Sequence, residues 1–169
     1  KSSKIFPISE GVKNFLEENY KNLNYGPILY NSYNFKEEDF LTKKIPTILK
    51  LLFVGRIIKT KGVYELIGAC LELQKQRIPF ILTMIGDGSE RKKIEEKVKE
   101  YNLEKQILIR GSLPYEETQK EYPKHDIFLN PSYTEGLPTT VLEALSNSLL
   151  VVASNAGGTN EIIPNEYLL

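Results

Sequence analysis

Two basic residues, Arg56 and Lys61, stand five positions apart in the segment VGRIIKTKG. An arginine fork and a lysine point charge beside a helix start suit a diphosphate, because free backbone N–H groups and the helix dipole add to their field. Two acidic residues, Glu135 and Glu143, stand eight apart in YTEGLPTTVLEAL. Between them Gly136 allows a close backbone turn, and Pro138 suits the first turn of a following helix. The N–H groups of Leu137, Thr139 and Thr140 would then form a second anion cradle at a positive helix end. A carboxylate beside such a cradle would accept hydrogen bonds from sugar hydroxyls. For each charged residue alone the competing reading is a solvated surface group, since most Lys, Arg and Glu side chains are exposed. The elements that carry them decide between the two readings.

From Ile48 onward the chain alternates strand and helix. Apolar runs at 48–54, 79–86, 106–111, 126–132 and 149–154 read as buried strands. Between them, 62–77 is an amphipathic helix with Val63, Leu66, Ile67, Cys70 and Leu71 on one face. Residues 89–101 form a charged surface helix with Ile94, Val98 and Tyr101 facing inward. Shorter helices are predicted at 115–122 and 138–147, with a helical turn at 159–163. Fivefold alternation implies an α/β fold, a doubly wound parallel sheet with helices on both faces. Ligands bind such sheets at the carboxyl ends of the strands. The Gly-rich and Pro-rich loops fall there: Gly55-Arg56, Gly86-Asp87-Gly88, Gly111, Pro131 to Pro138 and Gly157-Gly158. The first 45 residues differ. Pro7 limits a short strand at 4–8, Ser9 is a candidate N-cap for a helix over 10–20, and Ile28–Tyr30 reads as a short strand in a connecting segment. Val12, Phe15 and Leu16 would be that helix's apolar stripe.

Composition narrows the function. The 169 residues carry 22 Lys+Arg and 22 Asp+Glu, and this zero net charge argues against a nucleic-acid or polybasic membrane surface as the main business. One Cys and one His exclude a disulfide framework, a Cys-rich metal site and an intrachain His pair. No apolar run approaches the length of a transmembrane helix, and the N-terminal segment lacks the apolar region of a signal peptide. A cytoplasmic location is the expectation.

Together, the Glu135–Glu143 spacing within EGLPTTVLEAL and the Arg56–Lys61 spacing resemble the signature of retaining GT-B glycosyltransferases, in particular the large family 4 (group 1). IGDGSER, LIRGSLP, DIFLNPSYTEGLP and AGGTNEII resemble that family's successive loops in order, and the likeness covers residues 48 to 165. It implies that residues 46–169 form a nucleotide-sugar (donor) binding domain, the Rossmann-like half of a GT-B fold that stops before the family's last strand and helix. Residues 1–45 resemble the tail of the acceptor-side domain with its linker. The linker departs from the usual pattern at Asn31-Ser32-Tyr33-Asn34, and Asn160 stands where proline is common. The resemblance also implies roles. Arg56 and Lys61 would neutralise the donor's diphosphate, Glu135 would contact the donor sugar, and Glu143 would bond the ribose. Backbone at Gly136, Leu137 and Pro138 would face sugar and phosphates, and Arg110 to Leu113, including Gly111, would flank the base. The resemblance implies no metal and no cofactor. An acceptor, saccharide or lipid-linked, would bind through a preceding domain, as would any membrane surface, so this fragment alone is expected to lack transfer activity.

Two other residues invite roles. His125, before the fourth strand, sits at the wrong end of the sheet for the rim, which favours a structural or solvated histidine. Cys70 reads as a reduced core thiol. The competing functions are a nucleotide-binding module without transfer activity and another GT-B-like enzyme, such as a sugar-nucleotide epimerase or a phosphorylase. A dinucleotide-dependent dehydrogenase is disfavoured, because GRIIKTKG replaces the G-x-G-x-x-G turn.

Overall fold

A computed structural model describes residues 4–30 and 46–169 of the chain. The larger part is a doubly wound α/β layer. Its sheet holds β3 (Leu49–Val54), β4 (Phe80–Ile85), β5 (Ile107–Gly111), β6 (Ile127–Asn130) and β7 (Leu150–Ala153). The spatial order is β5-β4-β3-β6-β7, and every neighbouring pair is parallel. Connecting them are α2 (Val63–Lys75), α3 (Arg91–Glu100), α4 (Tyr115–Gln119) and α5 (Thr139–Ser146).

Alternation along β3 shows why both faces need helices. Leu51 and Phe53 enter one apolar cluster with Val63, Ile67, Cys70, Met84, Ile94 and Val98. Leu52, from the same strand, enters the opposite cluster with Tyr122, Phe128, Val141 and Ala144. Successive side chains on a strand point to opposite faces, so a strand buried on both sides reads as an unbroken apolar run. Burial pushes the Cys70 thiol up to about 12, which makes it the inert core group its position on α2 predicts.

The winding direction reverses between β3 and β6. Strands β4 and β5 build outward on one side of β3, whereas β6 and β7 build on the other. The crevice of an open sheet lies outside the carboxyl ends at that reversal, so the loops after β3 and β6 must flank it. These are the loops that carry Arg56, Lys61 and Glu135. At the far side, the β4–β5 register shifts between Met84 and Ile85, so that Ile85 pairs with Gly111 rather than Arg110.

The other part is a β1 (Lys4–Ile5), α1 (Glu10–Asn19), β2 (Asn24–Tyr25) unit with its two strands parallel. Ser9 caps α1, its Oγ accepting from the Val12 N–H at 3.1 Å. Val12 and Leu16 are half-buried while Phe15 is exposed, so the expected apolar stripe is only partly covered among the described residues. The strand expected at 28–30 does not form. The partner strand stops at Ile5, because Pro7 has no N–H to extend a ladder, and the pairing falls on Asn24–Tyr25 instead. Leu29 still donates its N–H to the Pro7 carbonyl. The linker residues 31–45 lie outside the described residues. The helix expected at 115–122 ends at Gln119, and a 3-10 turn over Tyr122–Lys124, with Pro123 inside it, carries the chain to β6.

Candidate functional site

The β3–α2 connection runs through a 3-10 turn over Lys59–Lys61 and Gly62, whose φ of 65° lets one residue end that turn and start α2. The opposing β6–α5 loop is fastened to it at three points. Tyr133 donates its N–H to the Thr60 carbonyl at 2.9 Å. The Tyr133 hydroxyl donates to Glu65 Oε1 at 2.6 Å, and this bond raises the phenol above its ordinary range. Gly62 lies against the Pro131 backbone, where no side chain would fit.

That fastening brings Lys61 and Glu135 together, although they stand 74 positions apart in the chain. Lys61 Nζ donates to Glu135 Oε1 at 2.6 Å. The two side chains are only 19% and 9% exposed, so this is a shielded ion pair and not a surface contact. A lysine held in this way is a positive charge fixed in place at the sheet's switch point. Arg56, by contrast, is exposed and makes no ion pair among the described residues. It lines a cleft of about 300 Å³ with Val54, Gly55, Gly86, Asp87, Ser112 and Leu113, at the carboxyl ends of β3, β4 and β5. Across that cleft the Gly88 N–H and then Arg91 hold the Asp87 carboxyl below the usual carboxylate range. Gly111 closes the end of β5 with a φ of 73° and accepts the Gly86 N–H.

Helix α5 starts after Pro138, and Leu137 and Pro138 are buried. The N–H groups of Leu137, Thr139 and Thr140 find no acceptor among the described residues, leaving them as donors at the positive end of the helix. On the next turns of α5, Glu143 is buried, which corrects the expectation for a lone glutamate on a helix. The cause is Tyr122, fully buried beneath it, whose hydroxyl donates to Glu143 Oε2 at 2.6 Å. Burial of a carboxylate requires such donors. Tyr122→Phe is expected to destabilise the chain by about 2 kcal/mol, the worth of a buried hydrogen bond to a charged group. Thermal unfolding would show this as a drop in Tm of about 4–8 °C. An unchanged Tm would mean that the hydroxyl does not support Glu143.

Sequence reasoning singled out neither Tyr122 nor Tyr133 nor Glu161. Tyr122 sits 21 positions from Glu143, and no local pattern joins them. His125 is buried, with Nδ1 2.8 Å from the Glu121 carbonyl oxygen and Nε2 3.0 Å from Thr83 Oγ1. A carbonyl only accepts, so Nδ1 carries the donated hydrogen and the ring pins the start of β6 to β4. Among the described residues no group of three or more His, Cys, Asp or Glu side chains is placed to hold a metal. No helix among them is long and apolar enough to cross a membrane.

Comparison with known proteins places this architecture. The chain is 30% identical over 175 residues to the uncharacterized glycosyltransferase MJ1069 of Methanocaldococcus jannaschii, a match covering 99% of this chain and 44% of that protein. The chain thus spans less than half the length of that relative. Among solved structures, the C-terminal domain of a glycosyl transferase group 1 family protein (LpcC) from Francisella tularensis is 33% identical with a TM-score of 0.64, covering 72% of this chain and 67% of that one. The pneumococcal O-GlcNAc transferase GtfA, solved in complex with UDP and GlcNAc, shares the fold with a TM-score of 0.79 at 18% identity, covering 98% of this chain and 33% of that one. The family model for glycosyl transferases group 1 matches residues 35–167, and the chain belongs to that family.

Proposed function

We propose that this chain is the donor-binding part of a retaining glycosyltransferase of family 4, acting on a nucleotide-diphosphate sugar. The observation that carries the reading is the shielded Lys61–Glu135 pair beside the open N–H groups of α5, at the switch point of a group 1 sheet. In this reading Lys61 and Arg56 meet the two phosphates from different sides, one fixed and one free to adjust. Glu135 contacts the donor sugar and keeps Lys61 aimed. Backbone at Gly136, Leu137 and Pro138 faces sugar and phosphate. Glu143, oriented by Tyr122, accepts from the ribose. The cleft at Arg56 and Leu113, with Gly111 at the adjoining end of β5, takes the base, chiefly through backbone. No metal and no cofactor enters the proposal.

The transfer breaks the bond between the anomeric carbon and the diphosphate oxygen, and the electron pair leaves on the diphosphate. The acceptor hydroxyl oxygen bonds to the same face of the sugar, and its proton passes to the departing diphosphate oxygen. Negative charge grows on the leaving diphosphate, so cations and helix N–H groups already in place stabilise the transition state more than the ground state. Residues 46–169 form the donor unit in this proposal. Residues 1–45 belong with an acceptor-side domain that supplies the saccharide or lipid-linked acceptor and any membrane face. The structure of the pneumococcal relative with UDP supports a nucleotide donor, and the length of the relatives supports a second domain. UDP, GDP and ADP are the probes. At about a hundredfold excess over Kd, one of them is expected to stabilise the chain by about 2.7 kcal/mol, read as a raised Tm. Binding by none of the three would sink the proposal. Transfer of sugar to an acceptor by the 169-residue chain alone would overturn its division into donor and acceptor parts.

A further inference from the structure

Helix α1 opens with two N–H groups that a different part of the chain satisfies. The Glu10 N–H donates to Glu161 Oε2 at 2.9 Å and the Gly11 N–H to Glu161 Oε1 at 3.1 Å. A carboxylate that spans two first-turn N–H groups uses both lone-pair faces and the helix dipole. Glu161 stands at the end of the 3-10 turn over Gly157–Glu161. That turn in turn backs the Glu135–Leu137 segment. The Gly158 N–H donates to the Gly136 carbonyl at 2.8 Å, and Gly157, at φ 53°, lies too close to the Glu135 carbonyl for any side chain. On its open side, Gly136 faces Ile8 Cδ1 and Val12 Cγ2, each 3.6 Å from where a Cβ would stand. Ser9 is fully buried, its Cβ 3.3 Å from the corresponding point at Gly158. The turn that carries Glu135 is therefore held between Gly157–Gly158 and the start of α1, and Glu161 joins these two layers.

We propose that Glu161 is a positioning residue that locks the 4–30 segment onto the Glu135–Leu137 turn, so that the wall of the donor-sugar site is built from both parts of the chain. The donor-sugar role of that wall rests on the function proposed above; the lock itself does not. Glu161 touches no reacting atom in this proposal. It acts through Gly136 and Gly158, and through them on Glu135.

The test uses the 169-residue chain with Glu161→Ala, Glu161→Gln and Glu10→Pro. Glu10 is the first helical residue, where proline is tolerated, so Glu10→Pro deletes one of the two N–H partners and leaves the helix able to form. Backbone amide exchange at Gly11 and at Gly158 is read by NMR, and UDP affinity by titration. Glu161→Ala is expected to speed exchange at Gly11 by about five- to tenfold, as lost helix caps do, with a parallel increase at Gly158. UDP affinity should weaken by about threefold or more, the scale of coupling between neighbouring groups. Glu161→Gln, which keeps one acceptor of the two, should fall between native and alanine. Combining Glu10→Pro with Glu161→Ala should add nothing to the UDP effect of Glu161→Ala. Faster exchange at Gly11 with Gly158 and UDP affinity unchanged would reduce Glu161 to a local cap and overturn the proposal, as would no change at Gly11. If the native chain binds none of UDP, GDP and ADP, the donor reading fails, and the Gly11 and Gly158 exchange rates still decide the lock.

Discussion

Lys61→Ala is expected to weaken UDP binding by about ten- to a hundredfold, and to lower stability as well. The two effects have different causes and can be separated. A charge-assisted contact to a phosphate is worth about 1.5–3 kcal/mol, so its loss weakens affinity by about ten- to a hundredfold. Loss of the ammonium also leaves the Glu135 carboxylate, only 9% exposed, without its charge partner. Breaking a buried pair costs about 3–5 kcal/mol, and the partial exposure of Lys61 places this case near 3 kcal/mol or below. Adding Glu135→Gln to Lys61→Ala removes the stranded charge and should restore most of the Tm, but no UDP affinity. Lys61→Arg keeps charge and pairing, and should retain part of both. Titration calorimetry and thermal unfolding on the same four proteins check this. Normal UDP affinity in Lys61→Ala would remove Lys61 from the diphosphate site. Recovery of affinity in the double variant would show that the single variant failed only by misfolding.

Arg56→Ala provides the contrast within the same argument. Arg56 has no ion pair among the described residues, so its removal strands no buried charge and should leave stability within about 0.5 kcal/mol of native. Any loss of UDP affinity there reports binding alone.

How much of this site was legible in the sequence depends on how local each signal is. The five parallel strands were legible because burial on both faces leaves a near-continuous apolar run, as in the LLFV that ends β3. Their loops followed from the sheet rule. The start of α5 followed from Gly136 and Pro138, and the Ser9 cap from its residue type. What was not legible is tertiary. Nothing near Lys61 announces that its partner is Glu135, because the pairing depends on the Thr60–Tyr133 bond and the Gly62–Pro131 contact. Taken alone, Glu143 reads as a surface glutamate, and only the resemblance gave it a ribose contact; its burial was not legible because its donor, Tyr122, lies in a segment that reads as a short polar helix. Glu161 stood out only as part of AGGTNEII, and nothing local marked its contact with α1, since the backbone N–H groups it meets lie 150 and 151 positions away. The misplaced strand at 28–30 has the same origin. An apolar triplet predicts pairing only if a partner ladder reaches it, and Pro7 stops that ladder short.

The fold-level counterpart of the Lys61 prediction is Gly62→Ala, which is expected to be among the most damaging single-methyl changes in the chain. Gly62 has a φ of 65°, a conformation that costs an ordinary residue about 1–2 kcal/mol. A Cβ there would also overlap the Pro131 carbonyl oxygen, carbon and Cβ. These are mostly backbone atoms at the exit of β6 and cannot turn aside as a flexible side chain would. Relief requires the β3–α2 turn to separate from the β6–α5 loop, which breaks the Thr60–Tyr133 bond and moves Lys61 away from Glu135. Strain and lost contacts together should cost about 3 kcal/mol or more, a fall in Tm of at least about 6 °C. Gly68→Ala is the control. It adds the same methyl group, exposed in the middle of α2 with no atom within 4 Å, and should stabilise the chain by about 0.5–1 kcal/mol through helix propensity. The two variants thus predict opposite signs from the same chemical change 6 positions apart. UDP affinity should follow the same division, lost in Gly62→Ala and native in Gly68→Ala. If Gly62→Ala were as stable as the native chain and bound UDP normally, the two loops would not be held at this spacing. The Lys61–Glu135 pair would then have to owe its position to something other than Gly62.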